Sequence, residues 1–173
     1  MRDGRLKERI GTYALPAIAL ALVGFLAVAF RFYLVPSASM EPTIPTGSRI
    51  AAVVVPYGLT HEFSRGDIVV LRSPADLPDD PRGGVLVKRI VALGGDRVLV
   101  ADGTLYVNGA PSPWQGSTAA VGSASAAVPE GQYYLMGDNR AYSLDSRYFG
   151  PVAAEQIYGR VILTYLPGLR TIR

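Results

Sequence analysis

Residues 85–107, VLVKRIVALGGDRVLVADGTLYV, decide the fold, because they alternate β-branched runs with turn residues and never settle into a helical period. Val85–Leu93, Arg97–Val100 and Thr104–Val107 read as strands. Gly94-Gly95-Asp96 breaks the first from the second, and Asp102-Gly103 is a tight-hairpin signal between the second and third, with Asn108-Gly109 marking the next turn. Working outward, Ile50–Val55, Asp67–Leu71, Gln132–Met136 and Gly159–Leu166 have the same character, and no stretch after Val35 sustains a helical repeat. The expected fold class is mainly β, an antiparallel sheet coiled into a sandwich or barrel. Gln115–Val128 (QGSTAAVGSASAAV) reads as a small-residue loop with nothing to pack, and Asp76–Gly84 as a second exposed loop.

Ahead of this body lies Ala14–Phe30, ALPAIALALVGFLAVAF, without a charged residue. As a helix it rises about 25 Å, near the minimum for a tilted crossing of a bilayer. Phe32, Tyr33, Leu34 and Val35 extend the apolar stretch, with Arg31 reaching for the interface. The residues before it, Met1–Tyr13, carry four basic and two acidic groups, which by the positive-inside rule puts the N-terminus in the cytoplasm. The expected organisation is a cytoplasmic tail (1–13), one N-terminal transmembrane helix with its juxtamembrane segment (14–35), and an extracytoplasmic domain (36–173). Within that domain 97–131 is expected to form a hairpin and loop region. The alternative is a cleavable signal peptide, since Ala27-Val28-Ala29 fits a small-x-small cleavage site, although that site falls inside the apolar run.

Composition removes several function classes. Of 17 basic and 14 acidic residues, the part after Tyr13 holds 13 and 12, too even a balance for a nucleic-acid partner. No cysteine is present, so disulfides, thiolate metal sites and cysteine nucleophiles are excluded; with a single histidine (His61), so is a histidine cluster.

Three segments carry chemistry. The chain has only two lysines, Lys7 and Lys88, and Lys88 lies inside an apolar strand. Arginine keeps its proton in a protein whereas a buried lysine can lose it, so a lysine here fits deprotonation; a lysine snorkelling from a strand edge is the plainer reading. Pro36-Ser37-Ala38-Ser39-Met40-Glu41-Pro42-Thr43-Ile44 follows the apolar helix, and alone would be a juxtamembrane turn. Gly137–Gly150, GDNRAYSLDSRYFG, is a glycine-bounded loop with two acids and two arginines in eleven residues, alone a surface loop laced by ion pairs.

Together, SASMEPTI, Arg65-Gly66-Asp67-Ile68-Val69-Val70, KRIVALGGD and GDNRAYSLDSRYFGPV, in that order behind an apolar segment, resemble the bacterial type I signal peptidases, serine/lysine proteases that remove signal peptides. The resemblance covers nearly the whole chain. It implies Ser39 as nucleophile and Lys88 as its general base, which must be neutral to work. It implies that Ser37, with the backbone N–H of Ser39, forms the oxyanion hole, and that Ser143 orients the lysine. Asp145, paired with Arg147, braces the Ser143 loop, and Arg89 with Asp138 forms a second ion pair. By the same match Val35, Pro36, Met40, Ile44, Leu86 and Val87 are walls of two shallow pockets for small residues, with Ala-x-Ala the preferred cleavage motif.

No cofactor is implied. The expected partners are secretory preproteins, membrane lipid and the translocon, with no nucleic acid. The expected location is the plasma membrane, with a single pass. Ala141 and Tyr142 stand where many relatives carry two polar residues, and the chain lacks the second span and large accessory domain of some Gram-negative relatives. The rival readings are a serine/lysine protease with another client, a non-catalytic peptide-binding domain, and the branch that uses histidine as base. Lys88 in KRIVALGGD argues against the last.

Overall fold

A computed structural model describes residues 3–54, 63–74, 84–119 and 122–172, with side chains from 13 onward. The loop expected at Asp76–Gly84 (Gly84 excepted), the end of the strand expected at Ile50–Val55 and His61 lie outside the described residues. In chain order the elements are α1 (Asp3–Ala29), β1 (Phe30–Leu34), β2 (Arg49–Val54), β3 (Ile68–Arg72), β4 (Val85–Leu93), β5 (Arg97–Ala101), β6 (Thr104–Val107), β7 (Ala110–Pro111), β8 (Ala124–Ala127), β9 (Gln132–Met136), α2 (Ser146–Phe149), β10 (Val152–Ala153), β11 (Ile157–Leu166) and β12 (Arg170–Thr171). Short 3-10 turns at Ala38–Met40, Arg140–Tyr142 and Ala154–Gln156 complete the set.

All strand pairs are antiparallel. One sheet runs β1-β2-β11-β3-β4-β9-β10 with β12 on β11, and a smaller one runs β7-β6-β5-β8. Three register shifts in β11 and one in β4, between Ile90 and Ala92, bend the larger sheet. The expected Asp102-Gly103 hairpin forms between β5 and β6, with both residues at positive φ as that turn requires.

Burial explains the strand sequences. β3 is apolar on consecutive residues because both faces are covered: Ile68 and Val70 enter a core with Val35, Met40, Ile44 and Val87, while Val69 and Leu71 enter another with Ile90, Leu135 and Ile157. Val91, Ala92, Tyr134 and Met136 carry a third core into the small sheet, against Val98, Val100 and Leu105.

Two expectations change. The apolar stretch stops being helical at Ala29: Phe30–Leu34 pairs with β2, so residues 30–34 belong to the sheet, where aromatic and branched side chains pack well. Arg31 instead donates from Nη1 to Ala27 O at 2.6 Å, its charge placed at the negative end of the helix. Among the described residues no helix is long and apolar enough to cross a membrane. Second, Gln115–Val128 is not all unpacked loop. Ala124–Ala127 pairs with β5, because ladder bonds need no side chain, and Ala124 and Ala126 are small enough to lie on the Val98–Val100–Leu105 core beside buried Val128. Ala126→Asp should therefore cost about 2 kcal/mol, whereas Ser125→Asp on the open face changes stability by less than about 0.5 kcal/mol, read by denaturant unfolding.

Candidate active site

The site forms where three segments meet: the turn after β1, the middle of β4 and the loop after β9. Pro36 ends the β1 segment, and Ser39 follows in the Ala38–Met40 turn, anchored because Met40 and Ile44 fill the core completely. Lys88 lies opposite Val69 in the β3–β4 ladder. Its Nζ is 2.9 Å from Ser39 Oγ and 3.0 Å from Val87 O, to both of which it donates. Ser37 Oγ lies 3.3 Å from Ser39 Oγ. Lys88 is only 2% exposed, and burial pulls its pKa from 10.5 to about 8 against the opposing fields of Asp145 and Asp138.

Two buried ion pairs hold the surroundings. Asp145, fully buried, accepts from Arg147 Nε at 2.8 Å and from Gly137 N at 3.0 Å, so it ties the start of the loop to its end. Arg147 also donates to the carbonyls of Arg140 and Ser143. Arg89, next to Lys88, makes a two-pronged pair with Asp138 at 2.8 and 2.7 Å. Its guanidinium stacks on Trp114 at 4.8 Å, and Thr43 Oγ1 donates to Asp138 at 2.5 Å.

Ser143 is buried beside Gly137, but its hydroxyl has no hydrogen-bond partner among the described residues, so no bond links it to Lys88. Gly137 has no room for a side chain: a Cβ there would lie 2.2 Å from Ser143 Oγ and 2.5 Å from Ser39 O. The loop thus presses directly on the Ser39 turn.

Asn139, which sequence reasoning did not single out, donates from its backbone N–H to Ser39 O (3.0 Å) and from Nδ2 to Ala38 O (3.1 Å). Arg140 was also missed. It is 1% exposed and donates to Trp114 O, while Nε and Nη1 lack partners among the described residues, and burial lowers its pKa to about 10. The only signal for either residue was membership of the GDNR box; their contacts are long-range.

A cleft of about 460 Å³ opens beside Lys88, with Val35, Pro36 and Ser37 on one wall and Val85, Leu86 and Val87 on the other. Tyr33, Leu34 and Gly84, not expected there, also line it. Met40 and Ile44 do not; they lie beneath, in the core shared by Val35 and Val87. β4 pairs with β3 through Val85–Arg89 but with β9 only from Arg89 onward, so the other edge of Val85–Lys88 carries no strand among the described residues.

Having only two lysines makes the Lys88 amine directly observable. Nitrogen-detected titration should show the Lys88 amine titrating near 8, and Asp145→Asn should move it lower, because it removes a charge that favours the ammonium.

Residues 8–166 match the family described as signal peptidase, peptidase S26. A probable signal peptidase I-2 of Synechocystis is 33% identical over 160 residues, covering 91% of this chain and 72% of that one. A signal peptidase I of Bacillus licheniformis is 35% identical over 164 residues, covering 87% and 84%. A crystal structure of signal peptidase I from Enterococcus faecalis aligns with 58% of this chain and 97% of its own, at 28% identity and a TM-score of 0.46. The chain belongs to the signal peptidase family, peptidase S26, whose members remove signal peptides from preproteins, and is a serine peptidase of that type.

Proposed function

We infer that this chain cuts signal peptides from exported preproteins with Ser39 as nucleophile and Lys88 as general base. The observation that carries the reading is the 2.9 Å contact between a buried lysine amine and a serine hydroxyl. A hydroxyl attacks a peptide carbonyl slowly unless a neighbour takes its proton. With a pKa near 8, a useful fraction of Lys88 is neutral at physiological pH, and its nitrogen lone pair can accept the Ser39 proton. As Oγ bonds to the scissile carbonyl carbon, the carbonyl oxygen gains negative charge, which the Ser37 hydroxyl and the Ser39 backbone N–H stabilise. The Lys88 ammonium then passes its proton to the leaving amine, and water hydrolyses the acyl-enzyme by the same route in reverse. Ser143, buried across Gly137 from Ser39 and with no hydrogen-bond partner for its hydroxyl among the described residues, is the residue we assign to steering the amine during this cycle.

The substrate enters extended, pairing with the open edge of Val85–Lys88 so that alternate side chains turn into the cleft. Val35 and Leu86 at its walls leave room for small residues and reject large ones by clash, which favours cutting after Ala-x-Ala. The uncharged run Ala14–Ala29 of α1 passes without a linker into β1, which supports α1 as a membrane anchor, with the N-terminus cytoplasmic and the cleft on the far side of the plasma membrane. Membrane lipid and the translocon are the partners this arrangement suits.

Mass spectrometry of a preprotein whose signal peptide ends in Ala-x-Ala should find one cut after the second alanine, absent with Ser39→Ala, Lys88→Ala and Lys88→Arg. Activity retained by Lys88→Arg would sink the general-base role, since arginine keeps its proton. Ser37→Ala should lower kcat about a hundredfold with little change in KM.

A further inference from the structure

The stretch that leaves the small sheet between β7 and β8 touches both the Ser39 turn and the loop that supports it. Gln115 fixes its start by bonding the backbone of Leu105 in β6, through Oε1 to the N–H at 2.9 Å and Nε2 to the carbonyl at 2.8 Å. Trp114 then covers the Arg89–Asp138 pair. Ser117 donates from N to Asp138 O at 2.7 Å and from Oγ to Glu41 O at 2.8 Å, so one residue bridges the loop after β9 and the turn after Ser39. Thr118 Oγ1 accepts from Ala141 N at 3.0 Å and donates to Asn139 Oδ1 at 3.2 Å.

The last pair fixes a direction. The Thr118 hydroxyl accepts from Ala141 N–H and gives its single proton to Asn139 Oδ1, because Nδ2 faces the Ala38 carbonyl, which can only accept. That orientation turns Asn139 Nδ2 toward Ala38 O, where the opposite amide orientation would set two oxygens against each other. Asn139 then holds the Ala38 and Ser39 carbonyls together, and with them the peptide plane that carries the Ser39 N–H.

We propose that Thr118 is a positioning residue for the Ser39 turn, acting through the side-chain amide of Asn139, and that residues 114–118 form a strap by which the small sheet braces the reacting centre. The proposal rests on the peptidase reading for its kinetic consequence but not for its structural one. Thr118 is exposed, so Thr118→Val removes the hydroxyl without opening a cavity in the core. Hydrogen exchange on the full chain in detergent should show faster exchange in residues 37–44 for Thr118→Val, with Thr118→Ser matching the wild type. On an Ala-x-Ala peptide, Thr118→Val should lower kcat about three- to tenfold, the scale of one lost hydrogen bond, with KM and Tm unchanged, and Thr118→Ser should restore it. Unchanged exchange in 37–44, an unchanged kcat, a loss that follows Tm, or failure of serine to rescue would each overturn the proposal. A wild-type chain that cut no preprotein would count against the peptidase reading alone, and the exchange measurement would still decide this one.

Discussion

The site depends on one costly act, the burial of a lysine amine beside a serine hydroxyl. Lowering a pKa from 10.5 to about 8 corresponds to roughly 3 kcal/mol that the folded state withholds from the ammonium form. The sign follows from linkage. Below pH 8 Lys88 is protonated in the folded and unfolded chain alike, and burial of its charge weighs against folding. Between 8 and 10.5 only the unfolded chain holds that proton, so the penalty fades as pH rises. A protein that only needed a strand residue at position 88 would do better with a valine.

The rest of the architecture keeps that amine dry and aimed. β3, apolar on both faces, pairs along Val85–Arg89 and backs Lys88 with Val69. Asp145 and Asp138 lie close enough to hold the pKa up, but each is engaged by its own arginine, so neither forms a direct ion pair with Lys88 that would lock the proton in place. Gly137 brings the loop after β9 into contact with the Ser39 turn, a closeness that a single methyl group would prevent. The cleft then opens on the edge of Val85–Lys88 that carries no strand among the described residues.

Much of this was legible in the sequence. The Val85–Leu93, Thr104–Val107 and Gln132–Met136 strands fall where β-branched runs between turn residues put them, and the Asp102-Gly103 turn forms as its chemistry dictates. The residues the resemblance singled out as Ser39, Lys88, Ser37, Arg89–Asp138 and Asp145–Arg147 converge in space. What stayed hidden depended on partners far along the chain. Residues 30–34 look like more of the apolar helix until β2 offers them a ladder. Ala124–Ala127 has no side chain that advertises a strand, and gains its place from an unpaired edge of β5. Asn139 and Thr118 act through bonds to distant segments, Asn139 to the Ala38 carbonyl and Thr118 to the Asn139 side chain, which no local pattern encodes.

The most direct test of the central claim compares two titrations of the full-length chain: the Lys88 amine followed by nitrogen-detected NMR, and kcat/KM for an Ala-x-Ala preprotein followed across pH. The account predicts that both turn over near pH 8, with the rate rising about tenfold per unit below that point and levelling above it. A Lys88 amine that stayed protonated to pH 10 while cleavage was already at its plateau by pH 7 would contradict it.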